Sequence, residues 1–92
     1  MTEATRFFMT YTLTFTHHGK SYSNFQVNSD SCLPHQYEAV ACGLLLWKIE
    51  HENLSRDDKY HALRLIEYDE KKAESKEVWT AEEYIPYSTE VK

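Results

Sequence analysis

The sequence predicts an α+β domain in which an antiparallel β-hairpin packs against a long helix, with a second helix and an aromatic C-terminal segment completing the chain. Three observations lead there. A strictly alternating stretch opens the chain, and a stretch with apolar residues at helical spacing follows it. The 92 residues, 41% hydrophobic, 14% aromatic and 27% charged, have the composition of one ordinary folded domain. Such a chain buries roughly 60–65% of its unfolded surface, enough for one core and too little for a large cofactor fold. The expected organisation is a single domain over 1–92, with the hairpin at 5–29, a helical part at 33–75 and a C-terminal segment at 76–92.

From Arg6 to Thr16 the alternation puts Phe7, Met9, Tyr11, Leu13 and Phe15 on one face, and Phe8, Thr10, Thr12, Thr14 and Thr16 on the other. This is the pattern of a half-buried strand. Ser21 to Ser29 reads as its partner, with Phe25 and Val27 as apolar positions and His17-His18-Gly19-Lys20 as the turn. A plain two-residue loop at His18-Gly19 pairs Phe15 with Tyr22 and leaves Phe25 opposite Thr12, on the threonine face. A bulged turn with Gly19 left-handed instead pairs Leu13 with Phe25 and Tyr11 with Val27. The hydrophobic pattern favours the bulged turn, which collects the apolar residues of both strands under one helix.

That helix begins near Pro34, since proline suits the first helical position, and runs to about Glu52. Tyr37, Val40, Ala41, Leu44, Leu45, Trp47 and Ile49 supply its apolar face. Gly43, unfavourable in a helix interior, suggests a close approach of helix to sheet. Asn53 ends the helix. Ser55 then offers an N-cap with acids in the following turn, predicting a second helix from Ser55 to roughly Ala73 with Ala62, Leu63, Leu65 and Ile66 on one side. The rival reading is a strand from Lys59 to Tyr68, a Lys-Lys-Ala-Glu-Ser-Lys loop and another strand near Val78 to Ile85. Capping chemistry and weak alternation favour the helix. Beyond it, Trp79, Tyr84, Ile85 and Tyr87 surround Pro86 in a segment suited to docking on the body or on a partner.

The net charge is −5, and residues 1–49 contribute none of it: they hold three acids and three bases, whereas residues 50–92 hold twelve acids and seven bases. This argues against binding nucleic-acid phosphates directly, which needs clustered Lys and Arg, and favours a protein partner with a basic surface. Two cysteines, Cys32 and Cys42, are too few for a disulfide scaffold. With no start resembling a signal peptide and no apolar run longer than Leu44–Trp47, a cytoplasmic protein off the membrane is expected.

No motif names a reaction. Cys32 and His35 have C-x-x-H spacing, but Cys42, His51, His61 and the His17-His18 pair complete no zinc pattern, and no base or orienting group is specified for a catalytic thiol. With only Gly19 and Gly43, no glycine-rich phosphate loop can form. The sequence therefore predicts no catalytic residue, no metal and no cofactor. The alternatives left open are a small metal or thiol enzyme around Cys32 and His35, and a subunit that self-assembles, for instance as a homodimer, through the hairpin edge.

The feature pointing to function is acidic. Glu50, Glu52, Asp57 and Asp58 flank the expected junction of the two helices, and Glu67, Asp69 and Glu70 follow on the second. Carboxylates so placed can compete with nucleic-acid phosphates for Lys and Arg on another protein. Separately, Thr10, Thr12, Thr14 and Thr16, with Ser21 and Ser23 opposite, offer a flat polar surface that could lie on a partner, the other reading being the wet side of an antiparallel sheet.

A compact acidic domain with a hairpin, helices and no enzymatic motif resembles the small inhibitors that bacteriophages make against host defence, the anti-CRISPR and DNA-mimicking anti-restriction proteins. The resemblance lies in size, charge and organisation over the whole chain. It implies stoichiometric binding to a basic, nucleic-acid-handling host complex in the host cytoplasm. A charge of −5 is mild for a duplex mimic and favours a specific protein interface with a few charged anchors.

Overall fold

Two hairpins joined by one helix build the molecule. The structure, a computed structural model, describes residues 8–86. The elements are β1 (Met9–His17), β2 (Lys20–Asn28), a 3-10 turn (Pro34–Gln36), α1 (Tyr37–His51), β3 (Tyr60–Asp69) and β4 (Glu74–Tyr84). All strand pairs are antiparallel in the order β2-β1-β3-β4. The helix covers one face of this sheet. The core lies between them, formed by Tyr11, Leu13 and Phe15 of β1, Ala41, Leu44, Leu45 and Ile49 of α1, and Tyr60, Leu63 and Leu65 of β3.

This overturns the expected fold class of a hairpin packed against a long helix with a second helix: the fold is a four-stranded sheet with one helix. Of the stretch 33–75 expected to be helical, only 34–51 is. Ser55 caps a turn instead of a helix, its Oγ accepting the Asp57 N–H at 3.1 Å. The strand that follows conceals its alternation because Ala62 takes a left-handed φ of 54° and the register against β1 shifts there. Tyr60 and Leu63, three residues apart, are therefore both buried, a spacing that imitates a helix. Asp69 Oδ1 accepts the N–H groups of Lys71 and Lys72, and Ala73 (φ 54°) closes the turn into β4.

The first hairpin also differs from expectation. His18 (φ 50°) and Gly19 (φ 79°) form a two-residue turn with both central residues left-handed, and no bulge intervenes. Phe15 pairs with Tyr22 and Thr12 with Phe25. Turn geometry outweighs the collection of apolar side chains: β2 turns Tyr22, Asn24, Gln26 and Asn28 toward the helix side, half-buried, and leaves Phe25 and Val27 outside.

The helix starts at the turn made by Pro34. Gln36 closes that turn, its Oε1 accepting the Leu33 N–H at 2.8 Å. At the other end Asn53 is left-handed (φ 56°), its N–H bonding to Glu50 O, and Leu54 N–H reaches Ile49 O at 2.8 Å. That is a Schellman closure, with Leu54 packed on the core beside it. Two details of the expected helix face change. Trp47 is exposed and stacks on His51 at 3.5 Å between ring centroids, and Gly43 approaches nothing, since a Cβ there would meet no atom within 4 Å. Of the C-terminal aromatics, Trp79 meets Tyr84 edge-on and Pro86 is buried, while Tyr87 lies outside the described residues. Among the described residues no helix is long and apolar enough to cross a membrane.

Candidate functional site

The sheet has a covered and an open face, and the register decides what the open face carries. Thr10 lies between Val27 and Tyr68, and Thr12 between Phe25 and Ile66. These rows form an apolar end of the open face, extended by the exposed Phe8, whose N–H is held by Glu70 Oε1 at 2.9 Å. Phe25 is 62% exposed and Val27 53%. Toward the His18-Gly19 turn the rows become polar, with Thr14 between Ser23 and Arg64 and Thr16 beside Ser21. There the Ala62 bulge and the small side chains leave a shallow hollow of about 460 Å³. Arg64 Nε binds Glu77 Oε2 at 2.6 Å at its rim.

The two edges of the sheet differ. Edge strand β4 carries Glu74, Lys76, Glu77, Glu82 and Glu83, the kind of charge that discourages strand addition. Edge strand β2 carries one charge, Lys20, at its start. Its backbone is partly guarded by Asn24, whose Oδ1 accepts the Phe25 N–H while its Nδ2 donates to Leu44 O on the helix.

The acidic residues singled out from the sequence do not form one patch. Glu50 and Glu52 are exposed at the end of α1, and Asp57 and Asp58 lie in the loop before β3. Asp69 and Glu70 sit at the far end of β3, a strand roughly 30 Å long at about 3.3 Å per residue, whereas Asp58 lies just before its start. Several have local partners: Lys48 stands 3.5 Å from Glu52, and Asp69 and Glu70 bind backbone N–H groups. Glu67 is buried. Directly across from Tyr11 on the covered face, it accepts the Tyr11 hydroxyl at 2.7 Å, and the same hydroxyl accepts the Cys32 N–H at 2.7 Å. Burial, followed by the neighbouring Glu67, drives the Tyr11 phenol well above its ordinary value. This trio fastens sheet to helix approach and is not a surface anchor.

Among the described residues Cys32 and His35 belong to no converging group of three metal-ligating side chains. Both cysteines are free, and Cys32 Sγ lies 3.4 Å from Asn28 Nδ2. The group of metal-ligating side chains that does converge among the described residues is His17, His18 and Asp58. The His17-His18 pair was visible in the sequence. Its carboxylate partner was not, since it comes from the other side of the helix.

Comparison with family models, curated proteins and solved structures returns no match.

Proposed function

We propose that this chain is a non-enzymatic, inhibitory protein-binding module whose open sheet face engages a partner with a basic surface. The observation that carries the reading is the hairpin register, which turns Phe25 and Val27 outward beside Tyr68 and Phe8. Aromatic and aliphatic side chains grouped on an otherwise polar surface are the usual anchors of a protein interface. Glu70 and Glu77 border this group, and the net charge of −5 complements Lys and Arg around the contact. The partner that best suits such a surface is a nucleic-acid-handling complex, blocked where DNA or RNA would lie, as a phage anti-defence protein would do. Glu50, Glu52 and Asp57, exposed at the other end, serve as outlying charge that speeds encounter.

The test is capture from a bacterial lysate by the tagged protein at low and high salt, beside a Phe25→Thr/Val27→Thr variant and a variant with Glu50, Glu52 and Asp57 changed to Lys. The expected result is a nucleic-acid-handling complex retained by the wild type, released by salt and lost with the double variant, with its nucleic-acid binding inhibited stoichiometrically. Undiminished capture by a folded double variant overturns the assignment to the open face. Undiminished capture at all salts by the charge-reversed variant overturns the electrostatic part.

A further inference from the structure

We propose that His17, His18 and Asp58 form a binding site for one divalent transition-metal ion of the zinc class. The site is independent of the protein-binding reading. It arises because the two-residue turn ends β1 with two consecutive imidazoles, while the loop entering β3 brings a carboxylate to meet them. His17 Nε2 stands 3.2 Å from Asp58 Oδ2, and His18 Nε2 stands 3.7 Å from the same oxygen. All three ligand atoms lie within 4.8 Å of one another. A tetrahedral ion with bonds of about 2.0–2.1 Å to nitrogen and oxygen separates its ligand atoms by roughly 3.3–3.4 Å. The two imidazole-to-carboxylate edges therefore lie within about 0.4 Å of what one ion requires, the imidazole pair is no more than 4.8 Å apart, and the two-imidazole, one-carboxylate chemistry suits zinc and its neighbours better than calcium or magnesium.

The surroundings hold the ligands in place. His17 occupies the inward-facing row of β1 after Tyr11, Leu13 and Phe15 and is only 4% exposed. Its ring stacks on Tyr60 at 4.2 Å, and Tyr60 is itself fixed by its hydroxyl donating to Ser55 O at 2.6 Å. His17 Nδ1 is buried with no hydrogen-bond partner, so the polar opportunity of this ring lies wholly on the Nε2 edge that faces Asp58. An imidazole in a row of core residues costs desolvation, and Asp58 supplies a polar partner on its Nε2 edge, so an ion held between them adds a second partner there. His18 is held left-handed (φ 50°), where Asn or Gly is the favoured residue of such a turn. Its ring, 4.1 Å from that of His17, is 78% exposed and leaves the fourth position open to water. On binding, each Nε2 gives up any proton it carries to solvent and donates its lone pair to the ion; the other ring proton then sits on Nδ1, which in His17 is buried without an acceptor, a cost the ion's binding has to exceed.

The test titrates zinc chloride into EDTA-treated, dialysed full-length protein by calorimetry, with thermal melts alongside, for the wild type, His18→Gly and Asp58→Asn. His18→Gly suits the left-handed turn position and keeps the fold, which circular dichroism checks. The expected result is one equivalent bound by the wild type and a melting temperature raised by zinc. Either variant is expected to bind at least ~10–100-fold more weakly, no less than the loss of an outer partner causes at a metal site, and to lose the thermal shift. Two results overturn the proposal: no saturable binding by the wild type, or binding of equal affinity in folded variants, which places the ion on other histidines or cysteines.

Discussion

Replacing Tyr11 with phenylalanine removes one oxygen atom from the centre of the molecule. The hydroxyl donates to Glu67 Oε2 and accepts the Cys32 N–H, both at 2.7 Å, and Tyr11 itself is fully buried. Its loss leaves a carboxyl oxygen and a backbone N–H without that partner, each worth roughly 1–3 kcal/mol when buried and unpaired. Part of the Glu67 share is recovered through Lys76 Nζ, 3.9 Å from the other oxygen. The expected net cost is about 2–4 kcal/mol, a large share of the stability of a domain this size. Since 1 kcal/mol moves the midpoint by roughly 4–8 °C in small domains, the melting temperature should fall by about 10–25 °C. Urea unfolding followed by circular dichroism measures it, with an unchanged slope showing that the transition stays two-state. Tyr11→Phe combined with Glu67→Leu should cost less than the sum of the two single changes, because the carboxyl group and its donor leave together. A Tyr11→Phe protein within about 0.5 kcal/mol of wild type would refute the reasoning, since it would mean that water or rearrangement satisfies both groups.

Three further outcomes follow from the same structure. Gly43→Ala should stabilise the protein by about 1 kcal/mol, because Gly43 lies inside α1 with open space around its Cβ position; a lower melting temperature would contradict that exposure. Phe25→Thr with Val27→Thr should change the urea-derived stability by less than about 1 kcal/mol, since both side chains are exposed, whereas a loss of 3 kcal/mol or more would restore the bulged register and its buried Phe25. Burial, and next the nearby Asp58, push the Tyr60 phenol up to about 12 from an ordinary value of 10.0. A folded value above the unfolded one means that this stabilisation is fully present below pH 10 and is lost as the pH climbs through about 12. Stability followed across that range should decline in the wild type and more gently in Tyr60→Phe; phenolate absorbance showing that Tyr60 ionises near pH 10 in the folded protein would contradict it.

The parts of the fold that the sequence revealed are those in which one signal acted alone. The alternation of Tyr11, Leu13 and Phe15 marked β1, and Pro34 and Asn53 bounded the helix. Where two signals competed, the weaker-looking one prevailed. The outward placement of Phe25 and Val27 contradicts hydrophobic collection because the His18-Gly19 turn dictates the register. The Ala62 bulge shifts Tyr60 out of phase with Leu63 and Leu65, so β3 lost the period by which a strand is known. Glu67 looked like a surface acid because nothing local shows that it faces Tyr11 across the sheet. Glu50, Glu52, Asp57 and Asp58 were expected at a junction of two helices with Asp69 and Glu70 following on the second, whereas an extended β3, at about 3.3 Å per residue instead of about 1.5, carries the last two about twice as far away.

The strand order also has a kinetic meaning. β1 with β2, and β3 with β4, are joined by short turns, so each outer half of the sheet closes through local contacts. The central seam between β1 and β3 joins residues separated by β2, the whole helix and its loops. Closing that long loop is the entropically expensive event, and hairpins form far faster than such distant pairings. The barrier to folding is therefore expected at the seam, where Leu13 faces Leu65 and Tyr11 faces Glu67. A chain halted before it would hold two separate ribbons, each with one row of core side chains still in water.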